Sequence, residues 1–395
     1  MSILLFALKF IGVGCYYLSC LFPRDRKKWL FGHWAGYGYS GNAKFLLIDI
    51  LENDKNIRPI WISHKRKEIQ NIKRLGIEVY YWLSVKGIYH CLTSKVFIYN
   101  STLKSINTYL SGNAYAVNLW HGVGIKSCKW TLPNTFSNRI TYFAHYRKPD
   151  LFLSTSPFST KYLVSGMYDI DEKQIIEGEY PRNAILLQSK ENIKRFIHKY
   201  EGEVSASIVK RLEKYHKVYI YMPTWRDDNR DIIEGASFDL DYLNNVLNER
   251  NELFLFRLHS GTKIEGIVNP EYSNIYFIPR EVDIYPILPF TDMLITDYSS
   301  IYYDYILMDK EILLFPFDLN EYLSSCRNLL LDYDHYTPGC RVSSFNELME
   351  VIGKGEQCYV KERDWVIHTF WDGKKEHIIE YIKKEISNSY KNCHG

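Results

Sequence analysis

The sequence lacks the cysteine spacing of a structural metal site. Its eight cysteines lie at positions 15, 20, 91, 128, 326, 340, 358 and 393, and no two of them form a Cys-x-x-Cys pair. Structural zinc sites usually take two ligands from such a pair, so a structural zinc site is not expected. Cysteines scattered through a large chain are more typical of a reducing compartment than of a disulfide framework.

An excess of charge of one sign is also missing. The 395 residues include 49 Lys and Arg and 46 Asp and Glu, for a formal net charge of +3. A value so close to zero excludes a generically basic nucleic-acid-binding protein, and no nucleic-acid partner is expected. The sequence contains no GxxxxGK[ST] loop, no GxSxG turn and no HExxH motif. These absences argue against a P-loop NTPase, an α/β-hydrolase and a zinc protease of that type.

One long apolar segment is present, at the N-terminus. It runs from Ile3 to Phe22 with Lys9 as its single charge, and four basic residues follow it: Arg24, Arg26, Lys27 and Lys28. About 20 apolar residues can span a bilayer. A shorter helix with a basic collar can instead lie in the interface, and a buried first helix is the third interpretation. A secretory signal peptide is disfavoured because no charged region precedes the segment and no clear small-x-small cleavage site is present.

We predict that residues 1–28 form a membrane-anchor segment. Basic residues after an apolar run place the remaining chain on the cytoplasmic side by the positive-inside rule. The expected location is the cytoplasmic face of the cell membrane, with the protein peripheral or anchored by its N-terminus. The membrane surface is therefore an expected partner.

Short apolar runs alternate with amphipathic stretches over the rest of the chain, without a visible repeat or low-complexity tract. This alternation is typical of an α/β protein with parallel sheets and crossover helices. The length suits two such domains, which we place at residues 29–200 and 201–362, with closing C-terminal helices at 363–395. We predict two Rossmann-like domains that face a cleft. Ligands of such folds bind beyond the carboxyl ends of the strands.

In the first half, the predicted strand Tyr115–Trp120 runs directly into His121 and Gly122. Histidine changes protonation near neutral pH and can take a proton from an alcohol, while glycine lets a ligand approach the backbone. Trp120, His121 and Gly122 are therefore candidate site residues, although a histidine that only caps a helix gives the same pattern. Arg182, in a turn before a helix, is a weaker candidate for binding phosphate.

In the second half, two strand ends carry polar residues that suit a phosphate-bearing ligand. One strand is followed by Pro223 and Thr224, whose hydroxyl group can bind a ligand, and by Arg226, which could pair with Asp227 or a phosphate. Another strand places Arg257 and His259 on the same side of its end. Two cationic groups there suit a diphosphate, and a partly buried histidine without a function is the alternative.

A third strand end leads into Ser299 and Ser300, just before an amphipathic helix. Hydroxyl groups and backbone N–H groups at a helix N-terminus can bind an anion. Asp304, one turn further, could accept a hydrogen bond from a ribose or glycerol hydroxyl. Ordinary N-capping is the alternative interpretation.

These candidates lie at strand ends in both halves, which predicts a two-domain transferase with an activated, phosphate-bearing donor. No cluster of Asp and Glu with obvious metal-binding geometry is apparent in the sequence. We therefore expect no cofactor and no essential protein-bound metal, although Mg²⁺ could accompany the donor diphosphate and stimulate the reaction.

The ordered set of motifs resembles the CDP-glycerol glycerophosphotransferase family, whose members prime and polymerise teichoic acids and related capsules. The matching pieces span residues 29 to about 380, and the Trp-His-Gly piece and the long piece around Asp297 are the most specific. In chain order the pieces are Phe31-Gly32 with Tyr39-Ser-Gly-Asn-Ala-Lys, Asn118-Leu-Trp-His-Gly, Tyr180-Pro-Arg-Asn, Met222-Pro-Thr-Trp-Arg-Asp, Arg257-Leu-His, Asp292-Met-Leu-Ile-Thr-Asp-Tyr-Ser-Ser, and Asp332-Tyr with Tyr336-Thr-Pro-Gly.

The resemblance implies a GT-B-like fold and a peripheral membrane enzyme. Its implied reaction transfers glycerol phosphate from CDP-glycerol to a hydroxyl group of a membrane-linked teichoic acid or capsule acceptor and releases CMP. It implies that residues 29–200 serve the acceptor and residues 201–362 bind the CDP-linked donor. His121 matches the general base of the family, and His259 is the second catalytic candidate. The substrate-binding candidates are Trp120, Gly122, Arg182, Pro223, Thr224, Arg257, Ser299, Ser300 and Asp304.

The sequence departs from the family pattern around Ser40-Gly41, where a serine-aspartate pair is common, and has its own character at His33 and Tyr37. These differences bear on the acceptor and on the polyol of the donor. The expected acceptor is a lipid-linked saccharide or a polyol phosphate, and addition of single units is favoured over polymerisation. Three alternatives remain open: CDP-ribitol as the donor, a GT-B glycosyltransferase that uses a nucleotide sugar, and a non-catalytic scaffold.

Overall fold

The computed structural model describes residues 3–126, 143, 147–164, 170–226, 231–258, 269, 271–325, 329–355, 357–373 and 377–394. The chain divides into two compact units. The first unit contains the described residues of Met1–His121, Lys129–Arg182 and Asp372–Gly395, and the second contains those of Gly122–Cys128 and Asn183–Trp371. The sequence places the boundary at 200/201 instead. The helix that precedes that point belongs to the second unit, and the last helix of the chain returns to the first.

The first unit is built on a seven-stranded sheet in the order β3-β2-β1-β4-β5-β6-β7. All of its strand pairs are parallel. The strands are β1 (Asp25–Gly32), β2 (Arg58–Ser63), β3 (Val79–Tyr81), β4 (Ser94–Tyr99), β5 (Tyr115–Asn118), β6 (Leu151–Ser154) and β7 (Ile175–Glu177). Continuous apolar runs form these strands because a parallel sheet is covered on both faces, and Leu30, Ile60 and Phe97 are fully buried in its core.

Five helices accompany these strands in the described sequence: α1 (Ile3–Ser19), α2 (Gly41–Asn53), α3 (Arg66–Arg74), α4 (Val85–Thr93) and the single turn α5 (Pro157–Ser159). Helices α4 and α5 begin with ordinary capping chemistry, in which a hydroxyl accepts a hydrogen bond from a free N–H group of the first turn. The side chain of Ser84 accepts from Gly87 at the start of α4, and that of Ser156 accepts from Ser159 at the start of α5. Shorter 3-10 turns connect several elements, among them Trp34–Gly36 and Pro181–Leu187.

The second unit contains a six-stranded parallel sheet in the order β10-β9-β8-β11-β12-β13. The strands are β8 (Lys217–Tyr221), β9 (Glu252–Phe256), β10 (Ile275–Phe277), β11 (Met293–Thr296), β12 (Glu311–Leu314) and β13 (Cys340–Arg341). The helices are α6 (Lys190–Tyr200), α7 (Glu203–Leu212), α8 (Ile232–Gly235), α9 (Leu240–Arg250), α10 (Ile301–Tyr305), α11 (Leu319–Ser325), α12 (Tyr333–Tyr336), α13 (Phe345–Lys354) and α14 (Arg363–Trp371). The final helix, α15 (Ile378–His394), belongs to the first unit. The predicted α/β class with parallel sheets is confirmed.

Helix α1 packs on the first unit through one side. A Cβ atom on Gly12 would lie 2.4 Å from the ring of Tyr109, and the hydroxyl of Ser19 accepts a hydrogen bond from the N–H of Gly112. The helix also carries large apolar side chains that are exposed, namely Leu8, Phe10, Ile11, Tyr17 and Leu18. Among the residues that the structure describes, no helix is both long and apolar enough to cross a bilayer.

The basic collar that the sequence predicts after this helix is only partly at the surface. The guanidinium of Arg24 donates to the backbone carbonyls of Cys91, Ser94 and Leu110, and burial lowers its pKa to about 10. Lys28 is buried and donates to the hydroxyl of Thr93. Two of the four basic side chains therefore hold the edge of the sheet together, while residues 26 and 27 are exposed.

Candidate active site

His121 follows β5 in a strained stretch of backbone. Trp120 has a φ of 55°, a left-handed value that is uncommon for a residue other than glycine, and Gly122 has a φ of 157°. The side-chain oxygen of Asn118 accepts a hydrogen bond from the N–H of Trp120 at 2.9 Å and holds this turn. Strain of this kind costs of order 1–3 kcal/mol and is concentrated at functional sites. The turn brings His121 out at the carboxyl edge of the sheet.

The imidazole of His121 has a defined tautomer. Its Nδ1 lies 3.2 Å from the backbone carbonyl oxygen of Asn100. A carbonyl oxygen can only accept, so Nδ1 carries the proton and Nε2 is the basic nitrogen of the neutral ring. The side chain of Asn100 is itself held, because its oxygen accepts from the N–H of Ala43 at 2.8 Å and its amide donates to Nδ1 of His33 at 2.6 Å.

Two buried polar side chains hold the backbone on either side of that histidine. The amide of Asn42 donates to the carbonyls of Leu119 and Trp120, at 3.2 and 3.0 Å, and its oxygen accepts from the backbone N–H of Arg182 at 3.3 Å. The guanidinium of Arg182 donates to the carbonyl of His121 at 2.8 Å. Arg182, which the resemblance assigns to donor binding, therefore contacts the backbone of the candidate base. Sequence reasoning did not single out Asn42 or Asn100, because both act through hydrogen bonds to distant parts of the chain.

A Gly-x-Gly-x-x-Gly spacing lies between β1 and α2, at Gly36, Gly38 and Gly41, and all three glycines have a positive φ. In dinucleotide-binding proteins this spacing lets pyrophosphate approach the start of the helix. Here side chains fill that space. A Cβ atom on Gly41 would lie 2.6 Å from the amide nitrogen of Asn100 and 3.0 Å from the ring of His33, and the N–H of Ala43 is bonded to Asn100. The loop therefore supports the His121 site and offers no dinucleotide cradle.

The second unit has its own cluster of polar groups at the carboxyl edge of its sheet. Pro223 and Thr224 follow β8, and the N–H of Thr224 donates to both carboxylate oxygens of Asp297, each at 3.0 Å. The ammonium of Lys126 donates to the hydroxyl of Thr224 at 3.2 Å. Gly124 faces Ser300, where an added Cβ atom would lie 3.4 Å from the serine Cβ. The ammonium of Lys126, the hydroxyl of Thr224 and the Gly124–Ser300 contact thus lie in one cluster.

Arg226 is wholly buried beneath this cluster. Its guanidinium donates to both oxygens of Asp318 at 2.7 Å, to Asp297 at 2.9 Å and to the carbonyl of Thr224 at 2.5 Å. Burial alone would lower the pKa of Arg226, but the two aspartates outweigh it and hold the pKa above its ordinary value. Arg226 is therefore a positioning residue, which ties the end of β8 to the end of β11.

Ser299 and Ser300 are half-buried at the end of β11, directly before α10. Ser300 precedes the helix but makes no side-chain capping bond to it, so ordinary capping does not account for that serine. Asp304 is buried, and one of its oxygens accepts from the hydroxyl of Tyr285 at 2.6 Å. Its predicted contact with a ribose or glycerol hydroxyl stays a prediction.

Arg257 points into the protein backbone. Its guanidinium donates to the carbonyls of Pro279, Arg280 and Val282 at 2.5, 3.1 and 3.0 Å. Burial lowers its pKa relative to a free guanidinium. In this structure Arg257 therefore anchors the loop after β10. His259 lies outside the described residues, so the predicted pairing of these two residues is not described.

Comparison with known proteins gives one family. Residues 15–375 match the family model of CDP-glycerol:poly(glycerophosphate) glycerophosphotransferases. A teichoic acid poly(glycerol phosphate) polymerase of Bacillus spizizenii is 27% identical over 369 residues, which are 89% of this chain and 89% of that protein. The protein of the same name from Bacillus subtilis is 25% identical over 350 residues, but these are 85% of this chain and only 45% of that relative.

The fold also has a solved counterpart. The structure of the wall teichoic acid polymerase TagF matches with a TM-score of 0.73 and 21% identity, and the match covers 98% of this chain and 97% of that chain. At this identity the likeness concerns the fold. The overall fold of this chain is therefore shared with a solved structure.

Proposed function

The chain belongs to the CDP-glycerol:poly(glycerophosphate) glycerophosphotransferase family, and from that premise we propose that it transfers glycerol phosphate from CDP-glycerol to an acceptor hydroxyl and releases CMP. The acceptor is a teichoic acid or capsule precursor at the membrane. The observation that carries the proposal is the hydrogen bond from His121 Nδ1 to the carbonyl of Asn100. It leaves Nε2 as a base in the one tautomer that can take the acceptor proton.

In the proposed reaction the acceptor oxygen attacks the β-phosphorus of CDP-glycerol. The proton of that hydroxyl passes to Nε2 of His121, the bond between the β-phosphorus and the bridging oxygen breaks, and CMP leaves with the electron pair. A positioned general base contributes about 10²- to 10⁴-fold to such a step. The remaining acceleration comes from positioning and from charge stabilisation around the phosphates.

The carboxyl edge of the second sheet supplies the donor site in this proposal. Lys126, Thr224 and Ser300 offer an ammonium and hydroxyl groups within one cluster, and these groups suit a diphosphate. The family resemblance also assigns Arg182, Arg257, Ser299, Asp304 and the undescribed His259 to the donor. The mechanism assigns no step to a protein-bound metal, and Mg²⁺ carried by the diphosphate is compatible with it. The cleft that the sequence predicts between two domains stays a prediction.

Lys126 provides the test of this donor site. Replacing Lys126 by alanine removes a charge-assisted hydrogen bond, and such bonds are worth about 1.5–3 kcal/mol. We expect the Kd for CDP-glycerol, measured by calorimetry, to rise about 10- to 100-fold, while Lys126→Arg retains part of the affinity. Lys354, an exposed lysine paired with Glu350 on α13, gives the control variant Lys354→Ala. An unchanged Kd in Lys126→Ala would place the donor elsewhere.

We further propose that the protein lies on the cytoplasmic face of the membrane through α1. The exposed side of this helix carries large apolar side chains that are more than half exposed, such as Leu8, Ile11 and Leu18. Each large side chain that leaves water contributes about 1.5–3 kcal/mol. The exposed basic residues 26 and 27 follow the helix, and such residues favour anionic lipid. A helix lying in the interface is the form that this arrangement supports.

Sedimentation with vesicles tests the proposed membrane contact. The double variant Ile11→Glu/Leu18→Glu is expected to lose most of its binding to vesicles containing anionic phospholipid, because it replaces two exposed apolar side chains of α1 by carboxylates. The control is Val85→Glu, at a position on α4 that is 86% exposed, and it should sediment like the unmodified protein. Equal sedimentation of all three proteins would remove α1 from the membrane contact.

A further inference from the structure

One exposed aromatic side chain stands beside the candidate base, and a second lies three residues further along the same loop. Trp34 is 52% exposed and Tyr37 is 48% exposed. The ring of Trp34 meets that of His121 edge-on, with 6.1 Å between the ring centres. Both aromatic residues lie in the loop between β1 and α2, at the carboxyl edge of the first sheet, where open α/β sheets bind ligands. The mechanism proposed above uses neither of them.

The loop that carries these rings is strained. Trp34 has a φ of 34° and Ala35 a φ of 54°, and left-handed backbone at residues other than glycine costs of order 1–3 kcal/mol each. Exposing two large rings to water adds a further cost. Strain of this kind persists where the surrounding structure imposes it, and it is typical of sites that are prepared for a ligand.

Several contacts impose this conformation. The N–H of Ala35 donates to the hydroxyl of Ser105 at 3.2 Å, and the N–H of Gly38 donates to the carboxylate of Glu68 at 3.2 Å. The N–H of His64 donates to the carbonyl of Gly36 at 2.8 Å. The imidazole of His64 fills the space beside Gly36, where a Cβ atom would lie 2.1 Å from the ring. The two aromatic rings are thus presented by a rigid turn.

The charge around the rings favours an uncharged ligand. The ammonium of Lys65 lies 5.3 Å from the centre of the Tyr37 ring, but it is 3.6 Å from the carboxylate of Glu68, which offsets its charge. A polyol phosphate chain is anionic and has no flat apolar face, so aromatic rings with balanced charges do not suit it. A pyranose has one face of C–H groups that can stack on an aromatic ring, with hydroxyl groups around its rim.

We propose that Trp34 and Tyr37 form an acceptor subsite for the pyranose ring of a saccharide. This inference rests on the proposed function and specifies its acceptor. Stacking on Trp34 places a hydroxyl of the sugar next to Nε2 of His121, which takes its proton as the hydroxyl oxygen attacks the donor phosphorus. The first glycerol phosphate is then added to a saccharide in preference to the end of an existing polyol phosphate chain.

The test compares a short-chain saccharide acceptor with a polyol phosphate oligomer, using the full chain with CDP-glycerol. In Trp34→Ala we expect the KM for the saccharide to rise at least about tenfold, with little change in kcat or in the Kd for CDP-glycerol. Trp34→Phe should recover part of the affinity, and Tyr37→Ala should show a smaller rise. The control is Tyr89→Ala on α4, a 53% exposed aromatic residue whose ring packs against Lys28 in the first half of β1.

The outcomes separate this inference from the function on which it rests. An unchanged KM in Trp34→Ala, or an equal rise in Tyr89→Ala, would overturn the subsite while transfer by the unmodified protein continued. Loss of vesicle sedimentation without a change in KM would overturn it in favour of a membrane contact. A second measurement is the Kd of the saccharide, determined by calorimetry without donor. It tests the subsite even if the protein consumes no CDP-polyol. Weaker binding to Trp34→Ala than to the unmodified protein is the result expected there.

Discussion

His121→Gln is expected to lower kcat by about 10²- to 10⁴-fold, the range that a positioned general base contributes. Glutamine retains polarity but cannot accept the proton of an alcohol. The Kd for CDP-glycerol should stay unchanged, because the proposed donor site lies in the second unit. His198→Gln, at an exposed position on α6, is the control and should keep full activity.

The pH dependence of the same variant gives a second measurement. In the unmodified protein the neutral imidazole is the active form, so kcat/KM should fall as the pH is lowered and His121 becomes protonated. In His121→Gln this decrease of kcat/KM at low pH, the acidic limb of the pH profile, should disappear, since the variant no longer contains the proposed base. Retention of the limb together with near-normal kcat would assign the proton transfer to another group.

Arg226→Met is expected to destabilise the second unit by about 3–5 kcal/mol. The variant leaves Asp297 and Asp318 buried without their cation, and it also removes the donor to the carbonyl of Thr224. The hydroxyl of Tyr298 still reaches Asp318, but one neutral donor does not replace a guanidinium. Urea denaturation, followed by the circular dichroism of the whole chain, measures the loss.

Arg58 offers the matched control for that variant. It forms a two-bond pair with Glu78, at 2.7 and 2.8 Å, but its side chain is 51% exposed. Surface pairs of this kind contribute about 0–1 kcal/mol. The free energy of unfolding of Arg58→Met should therefore differ from that of the unmodified protein by no more than this amount. Similar losses in both variants would contradict the distinction between the buried network and the surface pair.

Most strands were predictable because each is an apolar run with a clear end. The sequence predicts strands at 29–31, 59–63, 79–82, 95–99, 115–120 and 151–155, and in the second half at 217–222, 253–258, 275–278, 293–296 and 312–316. These lie close to the observed β1 to β6 and β8 to β12. The prediction missed β7 (Ile175–Glu177) and β13 (Cys340–Arg341), whose sequences Ile-Ile-Glu and Cys-Arg contain no apolar run longer than two residues. It also treated residues 191–215 as one helical stretch, whereas Gly202, with a φ of 82°, separates α6 from α7.

The candidate site was predictable where a strand end alone defines it. His121, Thr224, Ser299 and Ser300 were predicted as candidates because the carboxyl ends of parallel strands share one edge of a sheet, and their roles stay predictions. The partners of arginine were not predictable, since the sequence shows the charge of a side chain but not its direction. Arg226, which could have bound a phosphate, is committed to two buried aspartates.

Lys126 is a second residue whose contacts could not be predicted from the sequence. From sequence alone, Lys126 is one of several basic residues of the first half that could face anionic lipid or a phosphate-bearing acceptor, or simply form a solvated surface. The others are Lys129, Arg139, Arg147 and Lys148. The structure brings the ammonium of Lys126 to the hydroxyl of Thr224, a residue far along the chain. Asn100 is similar, since it reaches His121 and Ala43 only through the folded sheet.

The identity of the released nucleotide tests the central claim most directly. The purified chain would be offered CDP-glycerol, CDP-ribitol and a set of sugar nucleotides in turn, with a lipid-linked disaccharide as acceptor, and the nucleotide product would be resolved by chromatography. Attack at the β-phosphorus predicts CMP from a CDP-polyol, with glycerol phosphate gained by the acceptor, and CDP-glycerol should be the preferred donor. Release of a nucleoside diphosphate from a sugar nucleotide, with no CMP from either CDP-polyol, would contradict the account.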